Sequence, residues 1–332
     1  MIFKQNLHGF NSKINQMKKL LLITSLLIAS IILIFSIKKP LSQTGEVIYQ
    51  NPKDTTANYY MIFKPKIQAK GLLILLPSFG ETPEIASKET TIQNEANKKG
   101  LIAVFPSLQY GNGSFYADSL SQGKLDTLIF DLQKKYQLKD KPLYVGGFSL
   151  GGSGAVKYAE RAYSSTNLPK PKVIFAIDPP LDFERMYKSC EYEIRISKLK
   201  IAAEESAYFI QRLQYEFQGS PLQNQKAYHQ ISPYSYSDTL QTAIKPLIKC
   251  PVMLISEPDI MWQMQERNRS LYDLNTTDCS AMINSLRSYG NKNAQLILTS
   301  DKGYRKLTGK KNPHSWSIGD AEMIVNWLVK YQ

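Results

Sequence analysis

The sharpest chemical feature of this 332-residue chain is a serine set between two glycines, Gly147-Phe148-Ser149-Leu150-Gly151. The preceding Leu143-Tyr144-Val145 has the character of a buried strand, and Leu150–Tyr163 has that of a helix whose first turn holds Gly151, Gly152 and Gly154. Strand, tight turn and helix together form the setting in which a nucleophilic serine is pushed out at a sheet edge. Side chains at positions 147 and 151 would crowd such a turn, which explains the glycines. The Leu150 amide, at the positive end of the helix, can face a developing oxyanion.

A serine hydroxyl is a weak nucleophile until a base takes its proton. The chain has three histidines, His8, His229 and His314. His8 precedes an apolar segment and His229 reads as a surface residue beside Tyr228. His314, in Asn312-Pro313-His314-Ser315-Trp316, falls in a loop between the last strand and the C-terminal helix, and completes the order Ser…acid…His. It is the expected base. The acid that orients its ring is expected to be Asp259, after Val252–Ser256, with Asp178 and then Glu257 as alternatives. A second oxyanion donor is expected in Pro77-Ser78-Phe79-Gly80. Pro77 has no N–H, so Phe79, or failing that Ser78, supplies it; Glu81 beside them reads as solvated or as a helix start. Tyr110, Phe115, Tyr116 and Trp262 are candidate pocket residues. No metal or organic cofactor is expected.

The elements that must position these groups alternate. Strands are predicted at Val47–Gln50, Asn58–Phe63, Gly71–Leu76, Leu101–Phe105, Leu143–Gly147, Val173–Ile177, Val252–Ser256 and Gln295–Thr299. Helices are predicted at Pro83–Lys99, Leu125–Tyr136, Leu150–Tyr163, Thr276–Tyr289 and Ile318–Tyr331. Continuous apolar strands separated by helical stretches predict an α/β fold, a mostly parallel sheet covered by helices on both faces. Residues 41–57 read as a linker and first strand, and 58–332 as one domain. Within that domain about 182–248 has no strand pattern and reads as a helical insertion before the strand leading to Asp259.

Composition narrows the function. The net charge is +13, but the first 40 residues alone hold six lysines and no acid, and the remaining excess is dense only from Lys302 to Lys311. No nucleic-acid-binding signature accompanies it, so nucleic acid is not expected as a partner. Three cysteines, Cys190, Cys250 and Cys279, cannot form a disulfide framework. Leu20–Ile37 is uncharged, flanked by paired lysines, and would span roughly 27 Å as a helix, enough for a bilayer core. Residues 1–40 are therefore expected to be a cytoplasmic tail and signal anchor, with the rest of the chain on the extracytoplasmic side. If the segment is instead cleaved, the protein would be secreted or periplasmic.

Over roughly residues 45–332 the chain resembles the α/β-hydrolase fold, and more closely the esterase D / S-formylglutathione hydrolase-like group with its feruloyl-esterase and dienelactone-hydrolase-like neighbours. The matching stretches are Gly113-Ser114-Phe115-Tyr116-Ala117-Asp118, Gly147 to Ala155, Phe217-Gln218-Gly219-Ser220-Pro221 with Tyr228 and Ser232-Pro233, and Ser256-Glu257-Pro258-Asp259. Departures lie at Pro77-Ser78, where many relatives carry His-Gly, at Phe148, where His is common, and before His314, where a Gly is usual. The resemblance implies hydrolysis of a small-molecule ester or related acyl bond. Acyltransferase and peptidase activities occur on the same fold, and a non-catalytic binding role is the remaining alternative.

Overall fold

The computed structural model describes residues 44–197 and 199–332. The expected span, Leu20–Ile37, and His8 lie outside the described residues. Among the described residues no helix is long and apolar enough to cross a membrane.

Eight strands form one sheet in the order β1-β2-β4-β3-β5-β6-β7-β8. They are β1 (Glu46–Tyr49), β2 (Tyr59–Phe63), β3 (Gly71–Leu76), β4 (Leu101–Ser107), β5 (Leu143–Phe148), β6 (Val173–Ile177), β7 (Val252–Ser256) and β8 (Ala294–Leu298). Only β2 runs against the others; every pair from β4 to β8 is parallel. The near-continuous Leu, Ile, Val and Phe of β3 to β7 reflects burial on both faces. Successive side chains alternate between two cores: Leu72, Ile74 and Leu76 of β3 enter one, Leu73 and Leu75 the other. Helices α3 (Ser119–Lys135), α4 (Leu150–Ser164) and α8 (Asn275–Ser288) cover the first face. Helices α2 (Ile92–Lys98) and α9 (Ala321–Val329), with part of α1 (Pro83–Glu89), cover the second. The fold class is the one read from the sequence.

Helix boundaries differ where capping competes with periodicity. The stretch predicted as a single helix over Pro83–Lys99 is two, because the β-branched pair Thr90-Thr91 adopts non-helical backbone and restarts the chain. Helix α3 starts six residues earlier than predicted, since Asp118 accepts the Ser121 amide. The last helix starts at Ala321, where Asp320 accepts the Met323 amide at 2.7 Å.

Between β6 and β7 stand α5 (Phe183–Ile196), α6 (Lys200–Phe217) and α7 (Pro221–Ile231), then a 3-10 turn at Lys245–Lys249. Asp182 caps α5 through the Arg185 amide at 3.0 Å and also accepts the Tyr236 amide at 2.9 Å, which ties the irregular stretch after α7 to the start of α5. Aromatic rings fasten the α5–α6 hairpin to the sheet edge. Phe183 lies 6.2 Å from Phe115, and Phe209 lies 5.2 Å from Phe79 and 6.0 Å from Phe115.

Candidate active site

Ser149 follows β5 directly, with φ 54° and ψ −128°, a conformation that non-glycine residues rarely hold. Its neighbours explain how the turn closes. A Cβ on Gly151 would run into the carbonyl oxygens of Leu76 and Pro77, and one on Gly147 would meet the Gly151 backbone. The two glycines thus let the turn pass against the end of β3. The Ser149 amide donates to the Ile177 carbonyl at 2.9 Å, so the side chain rather than the backbone faces the opening.

Ser149 Oγ and His314 Nε2 are 2.9 Å apart, and His314 Nδ1 is 2.6 Å from Asp178 Oδ2. A carboxylate only accepts, so Nδ1–H donates to Asp178 and leaves Nε2 to accept the serine proton. The acid on the imidazole is therefore Asp178, held as second choice from the sequence, and not Asp259. Strand β6 lies directly beside β5, and Asp178 extends it by one residue. Asp178 is fixed by every polar atom. Its amide donates to the Ile255 carbonyl at 2.7 Å, its carbonyl accepts Asn275 Nδ2 at 3.0 Å, and Oδ1 accepts Ser256 Oγ at 2.5 Å. Ser256 is in turn 2.5 Å from Thr276 Oγ1.

Asp259, beyond β7, is bound elsewhere. Its Oδ2 lies 2.7 Å from Lys311 Nζ and its Oδ1 accepts the Trp262 amide at 3.3 Å, starting the one-turn helix Ile260–Trp262. The Lys311 ammonium holds its carboxyl below the usual aspartate range. Glu257 is almost fully buried and also spoken for: it accepts Thr299 Oγ1 at 2.9 Å, the Lys302 amide at 3.0 Å and the Gly303 amide at 2.9 Å. Neither is the ring partner, since the two His314 nitrogens meet Asp178 and Ser149.

Glu81 is buried rather than solvated. Oε2 accepts the Ser78 amide at 3.1 Å and the Trp316 indole N–H at 3.0 Å, and Oε1 accepts Arg305 Nη1 at 3.2 Å. The Ser78 amide is therefore engaged and is no alternative oxyanion donor. The Phe79 amide has no acceptor among the described residues, and neither has that of Leu150. Phe148, where relatives were expected to carry His, packs its ring 4.7 Å from that of His314 and 5.4 Å from Trp316.

Ser149, Phe79, Leu150, Arg305 and His314 open onto a cavity of about 210 Å³. Its far wall is one face of α5, Met186, Ser189, Cys190 and Glu193, at the i, i+3, i+4, i+7 spacing of a helix. None of the four pocket candidates lines it. Phe115 and Tyr116 are buried in the core behind Phe79 and Gly154, Tyr110 lies under the Arg212 guanidinium, and Trp262 lies against Arg267. Aromaticity near a sheet edge did not distinguish packing from lining. Two of the cavity's arginines are paired: Arg185 binds Asp278, and Arg269 Nη2 lies 2.7 Å from Glu193. Burial, with Asp278 nearby, raises the Asp182 carboxyl. Burial pushes the Cys190 thiol up to about 11, which keeps it protonated and a poor competing nucleophile at neutral pH. His229 lies apart on α7, 2.8 Å from Ser237 Oγ. The three cysteines are free and buried, and among the described residues no cluster of three or more His, Cys, Asp or Glu could hold a metal.

A family model described as "Alpha/beta hydrolase of unknown function (DUF915)" matches residues 112–220, a stretch that includes Ser149 and Asp178 but not His314. No curated protein matches the chain by sequence. Among solved structures, an S-formylglutathione hydrolase from Agrobacterium tumefaciens is similar with a TM-score of 0.55 at 11% identity, covering 89% of this chain and 97% of the other. An acylaminoacyl peptidase from Pyrococcus horikoshii gives 0.53 at 14%, covering 89% of this chain but 41% of the peptidase. MPT51 from Mycobacterium tuberculosis gives 0.52 at 13%, covering 84% and 94%. Identities this low speak to fold alone. With its sheet order, its serine turn and these likenesses, the chain has the α/β-hydrolase fold.

Proposed function

We propose that the protein is a serine hydrolase acting on a carboxylic ester or a related acyl bond of a small molecule. One observation carries the reading: Ser149, His314 and Asp178 form an unbroken hydrogen-bonded chain at the floor of a cavity. In this reading Ser149 Oγ attacks the acyl carbon while His314 Nε2 takes its proton. Asp178 holds the ring tautomer and stabilises the imidazolium. The Phe79 and Leu150 amides receive the negative oxygen of the tetrahedral intermediate. The alcohol leaves with the proton from His314, and an acyl ester remains on Ser149. Water then attacks that ester, again deprotonated by His314, and releases the acid.

Fluorophosphonate labelling with peptide mapping, together with hydrolysis of short p-nitrophenyl esters, tests this directly. The expected result is a label on Ser149 and loss of both labelling and hydrolysis in Ser149→Ala. Equal hydrolysis by wild type and variant would overturn it. Turnover seen only with an added acceptor alcohol would replace hydrolysis by acyl transfer.

We also propose that Leu20–Ile37 anchors the protein in a membrane with the hydrolase domain on the extracytoplasmic side. The uncharged run between paired lysines supports this. Alkaline extraction of membranes is expected to leave the full chain in the pellet, and its release into the supernatant would overturn the proposal.

A further inference from the structure

The chemistry above leaves the buried carboxylate of Glu81 without a part. The turn it closes is unusual in how its amides are used. Ser78 donates to Glu81 Oε2, Gly80 donates to the Asn112 carbonyl at 2.8 Å, and Glu81 donates to the Ser78 carbonyl at 3.1 Å. The Phe79 amide alone is left over, and it belongs to a residue that lines the cavity beside Ser149. A capping role does not account for Glu81, since Thr82 already caps α1 through the Ile85 amide.

Its other two partners come from the loop that carries His314. Trp316, two residues beyond His314, is fully buried and donates its indole N–H to Glu81; Arg305 donates to the second oxygen. These partners meet again on Phe148. The Trp316 ring lies 5.4 Å from that of Phe148 and the Arg305 guanidinium carbon 5.7 Å from it, while Phe148 packs against the His314 imidazole. One carboxylate therefore joins the turn that offers the free amide to the loop that holds the base.

We infer that Glu81 is a positioning residue for acyl transfer, setting the Phe79 oxyanion donor and the His314 ring in register with Ser149. The inference rests on the reading of Ser149 as nucleophile and His314 as base. A carboxylate is suited to the task because each oxygen accepts more than one donor, and charge-assisted bonds to it are short and directional. An amide in its place has one acceptor oxygen, so it cannot hold all three donors.

The test compares wild type with Glu81→Gln by kcat and KM for a p-nitrophenyl ester, by the affinity of phenylboronic acid, by the rate of fluorophosphonate labelling and by thermal melting. Phenylboronic acid forms a tetrahedral adduct on the serine and so reports the oxyanion site apart from turnover. Displacing a donor and base by a fraction of an ångström is expected to lower kcat about 10–100-fold with KM within about threefold. Boronate affinity should fall with kcat, in protein that still melts cooperatively. A merely structural role would lower the melting temperature and leave kcat and boronate affinity of the folded protein within about twofold of wild type, which would overturn the inference. Failure of fluorophosphonate to label the wild type would overturn the functional reading and the inference with it. A labelled wild type with an unaffected Glu81→Gln would overturn the inference alone. If Glu81→Gln does not fold, Trp316→Phe removes one donor and keeps the carboxylate. A smaller fall in kcat and boronate affinity is then expected, and no change in either would overturn the inference.

Discussion

Two neighbouring strand ends carry acidic residues at the same sheet edge, and only one of them faces the imidazole. At the end of β6, Asp178 is one residue past the strand and one strand away from Ser149, so its carboxylate reaches His314. At the end of β7, Glu257 and Asp259 lie one strand further out, about 10 Å from β5 at ordinary strand spacing. There Glu257 gathers Thr299 and the amides of Lys302 and Gly303, while Asp259 pairs with Lys311. The lesson concerns partners. A carboxylate at this edge is assigned by which donors sheet order brings to it, and the three acids differ in that rather than in type.

The comparison breaks most sharply at Asp178. Asp178→Asn is expected to lower kcat for ester hydrolysis by about 10³–10⁴-fold, because an amide there favours the wrong imidazole tautomer. Steady-state kinetics on the folded variant decide this, and a fall below tenfold would return the choice of acid to β7. Glu257→Gln should have an intermediate effect. It removes acceptors from buried amides in the loop leading to His314, at a cost of about 1–3 kcal/mol in stability, visible as a lower denaturation midpoint, with a smaller loss of activity than at Asp178. Asp259→Asn should change kcat less than about twofold, since its partly exposed ion pair with Lys311 has no contact with the imidazole. The sign of its pH response also follows. Its carboxyl is depressed by Lys311, so the small stabilisation is present above the ordinary aspartate range and fades as the pH falls through the lowered value. A melting-temperature difference between wild type and Asp259→Asn that grows on acidification would contradict this.

Much of the architecture was legible in local pattern. Five buried strands showed as unbroken apolar runs, and Gly147 and Gly151 marked a turn whose crowding is confirmed by the contacts a Cβ would make there. Glu81 was misread because a lone acid after Ser-Phe-Gly carries no local sign of burial. Two of its three donors, Arg305 and Trp316, come from more than 200 residues away. The pocket residues failed for a related reason: Phe115 and Tyr116 pack inward, and much of the lining comes instead from α5, the helix that opens the insertion read at about 182–248.

What the sequence determined by itself was the set of elements and the strained serine turn, since apolar periodicity and the steric freedom of glycine act over a few residues. Tertiary structure alone decided which carboxylate meets the histidine, which amide stays free and which helix walls the cavity. Those depend on the lateral order of strands and on contacts between loops far apart in the chain, and hydrogen-bond partners at that range leave no trace in local residue pattern.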